Sequence, residues 1–259
     1  MNHIKPSYLR QLHGLSGALL VTLALPVASQ AAIVMADRST DNVLQGNFEA
    51  NANPPAFLTN NSNARRVGTG GSAGAQRVNQ PVLGFTLPML PAGESLTLAT
   101  LAITYDNPAI TGAPIPYEMV ISLMTHTSLA DFDGSDFTED GATLGDGILI
   151  ANVAAGDASN GATPTFDLTG PALSHLAGLY DATGTPSQTE VYFRLSTSAG
   201  VDVTDANNDN DRFNFARNDD GSGNLVTRSL TLTTAAVPEP SSVLLLGIGL
   251  SALGLRRRK

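Results

Sequence analysis

The chain has 259 residues, a formal net charge of −9 and no cysteine, a length that allows one large domain or two small ones. Between Ala32 and Ala236 there are eight Arg, no Lys and 22 acidic residues, which makes this body more acidic still, at −14. Such a body argues against nucleic acid as a partner, because phosphate binding needs clustered Lys and Arg. The lack of cysteine excludes disulfides, thiol catalysis and thiolate metal sites.

In chain order, the first segment carries Lys5 and Arg10 and no acid, followed by an apolar run from Leu15 to Val27 and small residues at Ala28, Ser29, Ala31 and Ala32. A basic start, an apolar middle and a small-residue end predict a secretory signal peptide over residues 1–31. Ser29 and Ala31 fit the −3 and −1 positions, so cleavage is expected after Ala31. The apolar run is too short for a membrane span, which needs about 20 residues.

Residues 32–234 read as one all-β domain. Tyr117, Met119, Ile121 and Leu123 alternate with Glu118, Val120, Ser122 and Met124. Val191, Phe193 and Leu195 alternate with Tyr192, Arg194 and Ser196, and Leu230 and Leu232 alternate with Thr231 and Thr233. A period of two places one set of side chains on one face of a strand. Leu96 and Leu98 share one parity and Leu101, Ile103 and Tyr105 the other, which predicts a bulge near Ala99 and Thr100. Further strands are expected at Ala32–Ala36, Val82–Leu87, Gly147–Val153, Thr165–Leu168 and Arg212–Ala216. The Asn-, Gly- and Ala-rich stretch from Ala50 to Gln80 is expected to hold one short strand around Arg65–Val67. A single helix is expected after Thr169 or Gly170, with Pro171 at its first position and Leu173, Leu176 and Tyr180 on one face. Many short strands with turn signals and one helix imply a β-sandwich.

The body offers little catalytic machinery. Its two histidines, His126 and His175, lie in different elements with no ligand-like spacing, and no nucleophile elbow or zinc helix motif occurs. A non-enzymatic role is expected. One loop does have ligand-like spacing: Asp205, Asn207, Asp209 and Asp211 place oxygen side chains at every second residue. Alternating Asp and Asn can converge on one hard cation, so calcium is the cofactor this loop would take. Asn210 stands where such loops usually carry Gly, and the far-end Glu is absent. Asp131, Asp133, Asp136, Glu139 and Asp140 form a second acidic cluster, for which solvated turns are the plainer reading.

Residues 235–259 form a tail of three parts. Val237, Pro238, Glu239 and Pro240 make an extended segment, since the prolines lack N–H groups. Val243 to Leu255 is almost wholly apolar, and Arg256, Arg257, Arg258 and Lys259 close the chain. Thirteen residues as a helix reach roughly 20 Å at 1.5 Å each, short of the roughly 30 Å hydrocarbon layer. A transient anchor with the Arg cluster left cytoplasmic is expected. These three parts, in this order, resemble the PEP-CTERM sorting signal of Gram-negative bacteria. The resemblance implies processing by an exosortase-like membrane enzyme after export by the secretion machinery and signal peptidase. The destination it implies is the cell surface or the extracellular matrix, with a link to biofilm and exopolysaccharide.

Within the body, Val82-Leu83-Gly84-Phe85-Thr86-Leu87-Pro88, Leu90-Pro91-Ala92-Gly93 and Leu98-Ala99-Thr100-Leu101-Ala102-Ile103 resemble the core of DNRLRE-type jelly-roll domains. Phe166-Asp167-Leu168-Thr169-Gly170 and Arg212-Phe213-Asn214-Phe215-Ala216 are later matches. The resemblance implies a jelly-roll-like sandwich whose relatives include carbohydrate-binding modules. The expected function is a non-enzymatic surface or matrix protein. The alternatives are a module binding extracellular polysaccharide and, third, a polysaccharide-degrading enzyme.

Overall fold

The computed structural model describes residues 32–47, 56–59, 66–70, 77–109, 118–137, 144–198, 212–216 and 227–237. The expected signal peptide, the Asp205–Asp211 loop and the tail beyond Val237 lie outside them. The strands are β1 (Ala32–Asn47), β2 (Ala56–Thr59), β3 (Arg66–Gly70), β4 (Arg77–Thr86), β5 (Glu94–Ile103), β6 (Tyr105–Ala109), β7 (Met119–Met124), β8 (Gly147–Val153), β9 (Thr165–Leu168), β10 (Glu190–Thr197), β11 (Arg212–Phe215) and β12 (Arg228–Ala236), with one α-helix, α1 (Gly170–Gly178). Among the described residues all strand pairings are antiparallel.

Two sheets share β1. Its start, Ala32 to Ala36, pairs with β12, and the first sheet continues through β5 to β9. From Asp37 onward β1 pairs with β4 in the second sheet, with an irregularity between Arg38 and Asp41. A strand that changes sheets needs such a break to turn the corner. The other edge of β4 pairs with β3 near Asn79 and with β10 from Val82 to Thr86. The path runs on through β7 to β8 on one side and through β11 to β6 on the other.

The inner faces of the two sheets make one core. Leu101, Ile103, Leu168, Leu230 and Leu232 of the first sheet pack with Leu83, Phe85, Ile121, Leu123, Phe193, Leu195, Phe213 and Phe215 of the second. Phe85 meets Phe193 edge-on, with centroids 5.6 Å apart at 89°, a geometry worth about 1 kcal/mol beyond its buried area. Helix α1 packs against β5 and β8 and buries Ala172 and Leu176. Thr169 is its N-cap residue and Pro171 sits in its first turn.

Expected strands at Gly147–Val153 and Thr165–Leu168 are present as β8 and β9, and β11 spans Arg212–Phe215. The bulge in β5 falls earlier than Ala99 and Thr100. Leu98 pairs with Thr233 and Leu96 with the adjacent Thr234, so Thr97 is the extra residue. Two consecutive side chains, Thr97 and Leu98, therefore face solvent while Leu96 and Ala99 stay buried. The Ala50–Gln80 stretch holds more strand than its composition suggested: β2, β3 and the first half of β4. Backbone pairing, of β2 and β4 to β1 and of β3 to β4 and β11, forms these strands without an apolar alternation to announce them. Strand β12 runs through Ala236, with Ala235 and Ala236 paired to Ser95 and Glu94, two residues into the segment the sequence assigned to the tail.

Candidate functional site

The outer face of the second sheet carries Val78, Val82, Met124 and Tyr192, and the segment after β7 folds back over it. Phe132 and Phe137 from that segment complete a small second core. Phe132 stands edge-on to Tyr192, at 5.3 Å and 83°, and its other side lies against the His126 ring at 4.2 Å. Strands β7 and β10 are consequently buried on both faces. Burial pushes the Tyr192 hydroxyl well above its ordinary pKa, helped by its 2.6 Å hydrogen bond to Glu190.

The acidic residues of this segment divide into two kinds. The Asp131 carboxylate accepts from the Thr127 hydroxyl and from the N–H groups of Thr127 and Ser128. The Asp133 carboxylate accepts from the hydroxyl and N–H of Ser135. These bonds favour the ionised form, so both carboxyls titrate below the usual carboxylate range: Asp131 through the Thr127 hydroxyl first, Asp133 through that of Ser135. Both are turn-forming groups, as the plainer reading had it. Asp136 is different. It is almost buried, receives the N–H of Asp133, and lies 3.0 Å from Nε2 of His126. Glu139 and Asp140 lie outside the described residues.

Asp146, just before β8, joins His126 and Asp136. One ligand atom from each lies within 4.8 Å of the other two. Beneath them is Arg194 of β10, fully buried. Its guanidinium donates to the Asp136 carbonyl at 2.6 Å and to the Leu144 carbonyl at 2.8 Å. One side chain thus ties down both loops that bring the carboxylates together. Burial lowers the Arg194 pKa and the charges of Asp136 and Asp146 oppose that shift.

An imidazole and two carboxylates suit a divalent transition metal better than calcium, which prefers an all-oxygen shell. The His126 Nε2 and an Asp136 carboxylate oxygen already lie 3.0 Å apart, so a cation held by both would have to part them. The Arg194 guanidinium already supplies positive charge to the same carboxylates, which opposes a second cation. The geometry is therefore first a loop clasp and only secondarily a set of metal ligands.

The sequence had noted His126 and Asp136 separately, had Arg194 only as an alternating residue of its strand, and passed over Asp146. A lone Arg among Val191, Tyr192, Phe193 and Leu195 was the available signal, since a buried guanidinium needs carbonyls or carboxylates brought to it. His175, on the last turn of α1, is half-buried and remote from this cluster in sequence and topology. Of the expected sorting residues, Val237 is described: it is exposed and its N–H donates to the Gly93 carbonyl at 2.9 Å. Pro238, Glu239, Pro240, Arg256, Arg257 and Arg258 lie outside the described residues, as do Asp205, Asn207, Asp209 and Asp211.

The fold defines a class, a two-sheet antiparallel β-sandwich with one helix. Its continuation past the last strand is more specific: residues 236–259 match the family model described as the PEP-CTERM protein-sorting motif. That motif implies an exported chain that an exosortase processes through a transient C-terminal membrane anchor. No curated protein matches the chain. Among solved structures, a xylan-binding module CBM15 is similar at 9% identity and a TM-score of 0.32, over 80% of this chain and 99% of that one. Among the described residues no helix is long and apolar enough to cross a membrane.

Proposed function

We propose that the protein is a non-enzymatic component of the cell surface or extracellular matrix, a β-sandwich body delivered outside by an exosortase-like system. The observation that carries this reading is the sorting motif that begins at residue 236, where the last strand ends. The body is complete before the tail starts, so removing the tail leaves the sandwich intact. Support for a structural role also comes from the Asp–His–Arg cluster, whose groups are engaged in holding loops. The six exposed large apolar side chains among the described residues are aliphatic or methionine, whereas sugar rings are commonly held against aromatic faces.

Intact-mass measurement of the protein recovered from cells tests the reading. The expected mass lacks residues 1–31 and the chain beyond the Pro238-Glu239-Pro240 segment. A species that keeps Val243–Lys259 in the final location would overturn it. The Asp205–Asp211 loop is proposed to bind calcium on its alternating oxygens. Calorimetry of calcium with the purified protein would show neither heat nor a melting shift if that assignment is wrong.

A further inference from the structure

Of the six large apolar side chains exposed among the described residues, five belong to one region: Ile33, Met35, Met89, Leu98 and Val237. The sixth, Leu149, is on β8 of the other sheet. Strand register gathers Ile33 and Met35 of β1 and Leu98 of β5 on either side of β12, Val237 follows β12, and Met89 lies in the link before β5. Thr233 of β12 pairs with Ile33 on one side and Leu98 on the other, so these three project from one face. Thr231 pairs with Met35 and Thr100 in the next row of that face, and its hydroxyl lies 3.2 Å from the Met35 sulfur. The β5 bulge is what turns Leu98 outward. Met89 sits in the link from β4 to β5, which leads into Gly93, the partner of Val237. That link is held where its neighbour Leu90, buried, receives Gly184: the Leu90 N–H donates to the Gly184 carbonyl, and a Cβ at Gly184, with φ of +79°, would fall 2.5 Å from the Leu90 carbonyl oxygen. Met89 is left 66% exposed.

We infer that this apolar face, Ile33, Met35, Met89, Leu98 and Val237, rests on the lipid bilayer while the sorting tail is still attached. The inference rests on the tail being inserted in the membrane. The apolar run starts at Val243, six residues past Val237, a gap that spans roughly 20 Å at most when fully extended. The other end of the body, Ala32, pairs with Thr234, so the signal peptide expected before it joins the body at the same place. The attached tail thus holds this face close to lipid. A tether this short keeps the local concentration in about the millimolar range, so a weak interfacial contact is enough.

Anionic lipid repels an acidic body, so carboxylates on the resting face oppose the contact unless they are engaged. Glu94 is half-buried and accepts from the Thr234 hydroxyl, and Asp167, exposed in the row of Thr100, accepts from the Thr100 hydroxyl. The exposed Asp131, Asp133 and Asp146 lie on the side of the second sheet. Apolar side chains set among threonine hydroxyls suit the headgroup boundary.

The chain has no cysteine, so single thiols report cleanly. Full-length chains carrying Ile33→Cys, Met89→Cys, Leu149→Cys or Ser251→Cys would be labelled with an environment-sensitive fluorophore. They would be reconstituted in vesicles of phosphatidylethanolamine and phosphatidylglycerol containing doxyl lipid. Labels at positions 33 and 89 should be quenched several-fold more than the label at 149. Equal quenching at all three, with the label at 251 quenched, would overturn the inference and leave the sorting tail in place. No quenching at 251 would remove the inserted tail and the inference with it. Disulfide-linked pairs of the Ile33→Cys chain would show a second copy on this face in place of lipid, and would also overturn it.

Discussion

The two sheets treat their outer faces in opposite ways. In β12 of the first sheet, burial alternates strictly from Arg228 to Thr234, and the outward set, Ser229, Thr231 and Thr233, is left partly open. In β10 of the second sheet every residue from Val191 to Thr197 is buried. Both strands have the same period in sequence. The difference comes from the 126–137 segment, which lies on β7 and β10 through Phe132 and Phe137 and is tied by Arg194. A polar, acidic segment can cover a sheet when two aromatic rings supply apolar area and one guanidinium satisfies its backbone carbonyls.

The largest break in that contrast is expected from Arg194→Ala. It removes the donors to the Asp136 and Leu144 carbonyls and strands two loops over an emptied site. Losing a buried charge together with its partners costs about 3–5 kcal/mol, measurable as a lower urea midpoint. Arg194→Lys should recover little, because one ammonium cannot reach both carbonyls in the fork geometry of a guanidinium. Phe132→Ala comes next, at about 3 kcal/mol, since the ring fills the space between His126 and Tyr192. Tyr192 fluorescence should shift towards that of a solvated phenol in the same variant.

Acid should loosen the covered face before the core. Asp131 and Asp133 titrate below the usual carboxylate range in the folded chain, through the Thr127 and Ser135 hydroxyls respectively. A depressed folded pKa contributes stability that is present above the unfolded value of about 3.9 and is lost as pH falls through the folded one. Amide exchange in residues 127–136 should therefore accelerate below about pH 4, while β12 amides stay protected. Uniform acceleration would show that the segment does not open separately. The smallest effect is expected on the bare face, where Met35→Ser should change stability by less than about 0.5 kcal/mol, read from the same urea transitions.

The sequence by itself determined the strands whose side chains alternate or whose flanks carry turn residues, among them β8, β9 and β12, and it determined α1 through Thr169 and Pro171. It also determined the sorting tail, because Pro-Glu-Pro, an apolar run and an Arg cluster act through local chemistry and need no tertiary partner. Only the tertiary structure decided β2, β3 and the first half of β4, whose residues lack a period and are strands because β1 lies beside β2 and β4, and β4 and β11 beside β3. It alone decided that Asp146 and Arg194 meet His126 and Asp136, since strand pairing between β7 and β10 brings together residues separated by a long stretch of chain. The same holds for the apolar face: Ile33 and Leu98 carry no shared pattern in sequence, and antiparallel register places them on either side of Thr233, near the point where the tail departs.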